Sequence, residues 1–170
     1  MKHYNNELCS NWKQIIIGVN MSGKEKIIEG LQKAYWAELE TVMNYIANSV
    51  NLDGVRAEEI KKALQTEVQD EIMHAQTLAK RIKEIGGKVP GSMNFAASQK
   101  TMQPPTDTTD VESVIKGVID AENEAVAGYN KLIQDCDGID YVTQDMVISL
   151  LADEESHRTI FEGYLKEYSK

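Results

Sequence analysis

The chain has 170 residues, 42% of them hydrophobic and 26% charged, which suits one domain with a substantial core. A net charge of -9 with no basic run argues against nucleic-acid binding. The apolar run Ile15 to Val19 is broken by Gly18 and is too short for a secretory core or a membrane span.

Residues 1–21 form an N-terminal extension whose role stays open. Trp12, Ile15, Ile16, Ile17 and Val19 suit either a short helix or an arm against a neighbouring subunit, and His3 reads as a solvated tail residue. Cys9 and Cys136 have neither metal-ligand spacing nor a disulfide framework, so a reducing, cytoplasmic setting fits them. Cys136 lies on an apolar stripe, where a small buried hydrophobe is expected.

The domain proper is expected over residues 22–170. Ser22-Gly23-Lys24-Glu25 has the capping-box pattern that starts a helix. Ile28, Leu31, Tyr35, Glu38, Val42, Tyr45, Ser49 and Leu52 then alternate steps of three and four, one helix face running to a turn at Asn51–Gly54. Glu38 is the single acid on that stripe and should be buried.

A second helix is predicted from about Arg56 to Ile85, stopped by Gly86-Gly87 and Pro90. Its inner face carries Ile60, Leu64, Glu71, His74, Leu78, Ile82 and Ile85, while Glu58, Glu59, Lys61, Lys62, Lys80 and Lys83 form a solvated face. Lys88 to Thr109 holds all three prolines and reads as a long crossover. Thr109-Asp110-Val111-Glu112 reads as a second capping box, starting a helix with Val111, Ile115, Val118, Glu122, Ala125, Tyr129, Leu132 and Cys136 on one face. Asp137-Gly138 ends it. The fourth helix starts near Asp140 and aligns Val147, Leu150, Glu154, His157, Phe161, Tyr164 and Tyr168.

Two stretches are built alike: Glu71-Ile72-Met73-His74 and Glu154-Glu155-Ser156-His157. Three residues is close to one helical turn, so each Glu and His leave from one face. Imidazole with carboxylate suits iron, manganese or zinc. Glu38 and Glu122 repeat at matching places in the other two helices, each followed seven residues later by a tyrosine, Tyr45 and Tyr129. The lone Glu and the Glu-x-x-His of each hairpin both lie roughly 20 Å from the turn, at 1.5 Å per residue, and hence at one level. Two such hairpins joined by a crossover make an all-α, antiparallel four-helix bundle with converging ligands. Four carboxylates and two imidazoles in an apolar core would cost several kcal/mol per unpaired charge, whereas two divalent cations would balance them. Glu67, Asp70, Glu124 and Asp153 stand beside the motifs as partners for the histidines, as a metal entry route or, equally, as plain surface solvation. Tyr45 and Tyr129 suit core packing first and redox support second.

Ala37-Glu38-Leu39 with Asn44-Tyr45, Asp70 to Ala75, Ala121 to Ala125, and Tyr141-Val142-Thr143 through Leu151 to His157 resemble the bacterioferritin branch of the ferritin-like di-iron carboxylate proteins, over about residues 25–168. The resemblance implies Glu38 and His74 on one iron, Glu122 and His157 on the other, and Glu71 and Glu154 bridging both. It implies a ferroxidase that oxidises Fe(II) with O2 or H2O2 for iron storage or detoxification, as a soluble homo-oligomer. The alternative is a rubrerythrin-like peroxide reductase without a storage cage; the sequence lacks the paired Cys-x-x-Cys of a rubredoxin domain. Manganese also fits the ligand set. Haem is not expected, because Ile72 stands where the bacterioferritin haem ligand is a methionine, and Met73 is displaced about 100° round the helix. Thr66 replaces a histidine that some members use for inner-surface iron, and no fifth helix is expected after the fourth.

Overall fold

The computed structural model describes residues 22–168, so the expectations for residues 1–21 lie outside it. It contains four long helices, and no strand occurs among the described residues. These are α1 (Gly23–Asn51), α2 (Glu58–Glu84), α3 (Val111–Cys136) and α4 (Tyr141–Tyr168). The Ser22 capping box forms in full: Ser22 accepts from the Glu25 N–H, and Glu25 accepts from the Ser22 N–H at 2.8 Å.

Gly54 at φ +95° turns the chain from α1 towards α2, through a single 3-10 turn at Val55–Ala57. Gly86 at φ +83° closes α2, a left-handed position that glycine adopts without strain. The crossover then climbs the bundle and is held at its far end by the Asp53 N–H bonding to the Thr108 carbonyl at 2.8 Å. α3 therefore begins beside the α1–α2 turn and runs parallel to α2 and antiparallel to α1. Arg81 fastens the opposite end: it donates to Asp140 at 2.8 Å and to Thr143 at 2.8 Å, tying α2 to the start of α4.

Two features depart from the sequence reading. The cap of α3 is Asp110, which accepts from the Ser113 N–H at 3.0 Å, and not Thr109. Asp107 takes both the N–H and the hydroxyl of Thr109, so that side chain is spent one turn early. Secondly, Glu38 is not the only buried acid of α1. Glu40 is 3% exposed and accepts from the Ser98 N–H, the Ser98 hydroxyl and the Gln99 N–H at 2.8–3.0 Å. With Asn44 and Asn48 bonding to Gln99 and to the Met102 carbonyl, α1 carries a second, polar buried face covered by the crossover.

The core is split in two. One apolar cluster centres on Leu64, Met102, Ile115 and Phe161, the other on Leu31, Leu78, Leu132 and Val147. Cys136 belongs to the second and is fully buried, which pushes its thiol up to about 11. Between the clusters lies a polar layer.

Candidate metal centre

Each helix sends one or two groups into that layer. α1 supplies Glu38, α3 supplies Glu122, and the one-turn spacing of Glu71–His74 and Glu154–His157 lets α2 and α4 supply two each. All six are buried, between 1% exposed for Glu71 and 6% for His157. The two imidazoles lie side by side with ring centroids 6.1 Å apart. The sequence-derived set is therefore assembled in one place.

The donors fall into two overlapping groups. Glu38, Glu71, His74 and Glu154 offer ligand atoms within 4.8 Å of one another, and so do Glu71, Glu122, Glu154 and His157. Glu71 and Glu154 are common to both. Each histidine turns Nδ1 inward and Nε2 outward: His157 Nε2 is 2.9 Å from Glu67, and His74 Nε2 is 3.4 Å from Asp153. Of the four neighbouring acids, Glu67 and Asp153 thus back the histidines. Asp70 joins Glu67 and His157 in a third group, and Glu124 lies at an exposed edge of the adjoining cavity. Outward carboxylates of this kind fix which ring nitrogen faces inward.

The tyrosines cross between hairpins. Tyr45 on α1 donates to Glu122 on α3 at 2.5 Å, and Tyr129 on α3 donates to Glu38 on α1. Each lone Glu thereby has one oxygen held by a phenol from the opposite hairpin. The hydroxyls are satisfied, as core packing requires, but by the candidate ligands themselves.

The inward atoms are a different matter. Both oxygens of Glu71, one of Glu122, one of Glu154 and the Nδ1 atoms of both histidines are buried with no hydrogen-bond partner. His74 Nδ1 is 2.9 Å from Glu154, yet the contact lacks hydrogen-bond geometry. Such atoms each forgo about 1–3 kcal/mol of hydrogen bonding, so six of them pointing at one spot fit a site shaped for cations.

Protons redistribute in the metal-free layer. Burial, followed by the charges of Glu71 and Glu154, holds Glu38 well above the usual carboxylate range. Burial, with Glu154 close by, does the same to Glu122. Burial would also raise Glu71, but His157, His74 and Glu38 outweigh it and bring it down to about 2. Glu154 is lowered by the same two histidines against its burial. Burial disfavours a charged His74, yet Glu154 and Glu71 raise it to about 10, and His157 rises further through Glu154 and Glu67. Glu38 and Glu122 are thus biased towards the neutral form and both imidazoles towards the cationic form, which offsets charge in the layer without metal.

A four-helix bundle with paired Glu and Glu-x-x-His donors at mid-height defines the ferritin-like class. Residues 28–170 match the ferritin-like domain family, and the chain belongs to it. It is 31% identical over 144 residues to a DNA protection during starvation protein of Pyrococcus furiosus, covering 83% of this chain and 77% of that one. A bacterioferritin of Desulfovibrio desulfuricans is 28% identical over 141 residues, covering 82% and 74%. Among solved structures, a ferritin-like di-iron carboxylate protein of Bacillus anthracis superposes with TM-score 0.75 at 23% identity, over 85% of this chain and all but 1% of that one (99%). A dodecameric thioferritin of Bacteroides fragilis does so with TM-score 0.74 at 22% identity, over 86% and 88%. At these identities the solved structures speak for the fold.

No helix among the described residues is long and apolar enough to cross a membrane.

Proposed function

We propose that the chain is a ferroxidase: it binds two Fe(II) ions as substrate and oxidises them with O2 or hydrogen peroxide, for iron storage or detoxification. The carrying observation is the pair of four-donor groups that share Glu71 and Glu154. Glu38 with His74, and Glu122 with His157, would complete one ion each, with the shared carboxylates between them. Bound there, two ferrous ions supply the two electrons that convert one H2O2, with two protons, into two waters.

The protein's own groups prepare that site. Four carboxylates balance two divalent ions, which leaves the imidazoles neutral as ligands. Glu67 and Asp153 face the outer nitrogens of His157 and His74, and can accept the N–H that each neutral ring keeps when its inner nitrogen binds. Tyr45 and Tyr129 hold one oxygen of each terminal Glu, and the second oxygen of Glu122 has no partner.

The test is aerobic Fe(II) addition, followed by absorbance of the ferric product, size separation and iron counted per chain. The wild type is expected to oxidise iron rapidly and Glu122→Ala to lose one metal and most of that rate, with helicity retained. Unchanged kinetics in Glu122→Ala would remove that residue from the site. Many irons per chain on a large homo-oligomer would fit storage, and about two on a small one would fit turnover chemistry of the rubrerythrin kind.

A further inference from the structure

The end of the bundle where α1 starts carries exposed apolar side chains that the metal centre does not use. Ile139, in the turn between α3 and α4, is 55% exposed, and Tyr141 and Val142, which open α4, are 68% and 64% exposed. Single apolar residues in contact with water are ordinary, but three grouped on one turn form a patch. Its support is fixed: Asp140 accepts from the Thr143 N–H at 3.0 Å and from Arg81 at 2.8 Å.

The patch adjoins the point where residues 1–21 join the bundle. A Cβ built on Gly23, the first residue of α1, would stand 2.6 Å from Ile139 Cδ1. Just ahead of that point, Trp12, Ile15, Ile16, Ile17 and Val19 make five of the eight residues 12–19 apolar. Val19 lies four residues before Gly23, a reach of at most about 14 Å, and Ile15 lies eight before it, about 28 Å. A second exposed apolar group, Met43, Ile46 and Val50, begins roughly 30 Å along α1 at 1.5 Å per residue, beyond that reach. Charge agrees with the nearer patch. Residues 1–21 hold Lys2 and Lys13 against Glu7 in a chain of net charge -9. Exposed Asp137 stands two residues before Ile139, and exposed Asp145 stands one turn beyond Tyr141 and Val142.

We propose that residues 12–19 dock within the same chain on the Ile139–Tyr141–Val142 patch, with Lys13 towards Asp137 and Asp145. The N-terminal extension then serves as a cover for this end of the bundle. Such docking needs no metal and stands apart from the iron chemistry proposed above.

Trp12 reports on the contact. In the full chain with Trp36→Phe it is the sole tryptophan. Its quenching by acrylamide should be about threefold weaker than in the urea-unfolded chain, because apolar contact shields the indole. Adding Tyr141→Glu and Val142→Glu should restore the unfolded value while helicity is kept, since both side chains stand mostly clear of the bundle. Val55→Glu, at a 93% exposed position on the opposite end, should change nothing. Unfolded-type quenching before any patch substitution, or an equal response to Val55→Glu, would overturn the docking. Carbodiimide coupling reads the same contact with Trp36 in place, using isotopically light and heavy wild-type chains refolded together. Lys13 joined to Asp137 or Asp145 within single-isotope products is expected. Mixed-isotope products would put the segment on a neighbouring copy and overturn the same-chain assignment.

Discussion

Tyr45 on α1 donates its phenolic hydrogen to Glu122 on α3 across 2.5 Å, and Tyr129 returns the favour to Glu38. The two hairpins are thus stitched at the level of the candidate metal centre. Neither tyrosine is solvated, and burial, followed by the adjacent Glu122 or Glu38, raises both phenols well above their ordinary range. They act as fixed neutral donors.

Tyr45→Phe removes that donor and keeps the ring. It leaves a buried Glu122 oxygen without a partner, at a cost of about 1–3 kcal/mol in the metal-free chain. It also frees Glu122 to reorient, for which a roughly 10-fold loss in affinity at one metal position is expected. Thermal melting and anaerobic Fe(II) titration measure the two effects. Wild-type values in both would show that the hydrogen bond positions nothing.

Metal binding should release protons. His74, raised to about 10, and His157, raised further, each carry a proton at neutral pH that a metal must displace. Glu38 and Glu122, also raised, add to the count. Between two and four protons per two divalent ions are expected in a weakly buffered calorimetric or indicator titration. Release of none would mean that the imidazoles are not ligands.

The same shifts give the metal-free fold a pH dependence. A histidine with a raised pKa contributes stability that is complete below its unfolded value, near 6.5. For His74 that contribution is lost as pH rises from 6.5 through about 10. Glu71, lowered to about 2, contributes above its unfolded value of 4.5 and loses that contribution as pH falls towards 2. The metal-free protein should therefore melt lower at pH 9 than at pH 6, and bound divalent metal should flatten the difference. An apo melting temperature that rises between pH 6 and 9 would contradict the proton distribution.

Gly117 is the point where the crossover touches α3. An added Cβ there would stand 2.3 Å from the Thr101 carbonyl oxygen, a backbone atom that cannot swing away. Alanine is the better helix former by about 1 kcal/mol, but the overlap costs typically 1–3 kcal/mol. Gly117→Ala should be destabilising overall in urea denaturation, and a stabilised variant would show that the crossover can lift.

What the sequence disclosed was periodic. Glu38, Glu71, His74, Glu122, Glu154 and His157 fall on helical stripes, so one turn of spacing suffices to bring them together. Glu40 escaped because it lies two residues from Glu38, off the stripe, and its partners Ser98 and Gln99 sit in an aperiodic crossover. The cap of α3 was misplaced for a similar reason, since only the local turn at Asp107 decides between Thr109 and Asp110. The pairing of Tyr45 with Glu122 depends on how two hairpins meet, which no single helix encodes.

The most direct test of the metal centre is anaerobic Fe(II) titration with bound iron counted per chain, in wild type and in the Glu71→Ala, Glu154→Ala double variant. Two tightly bound ions in the wild type and none in the folded double variant are expected, because both donor groups share those carboxylates. Retention of two ions by the folded double variant, or fewer than one per wild-type chain, would contradict it.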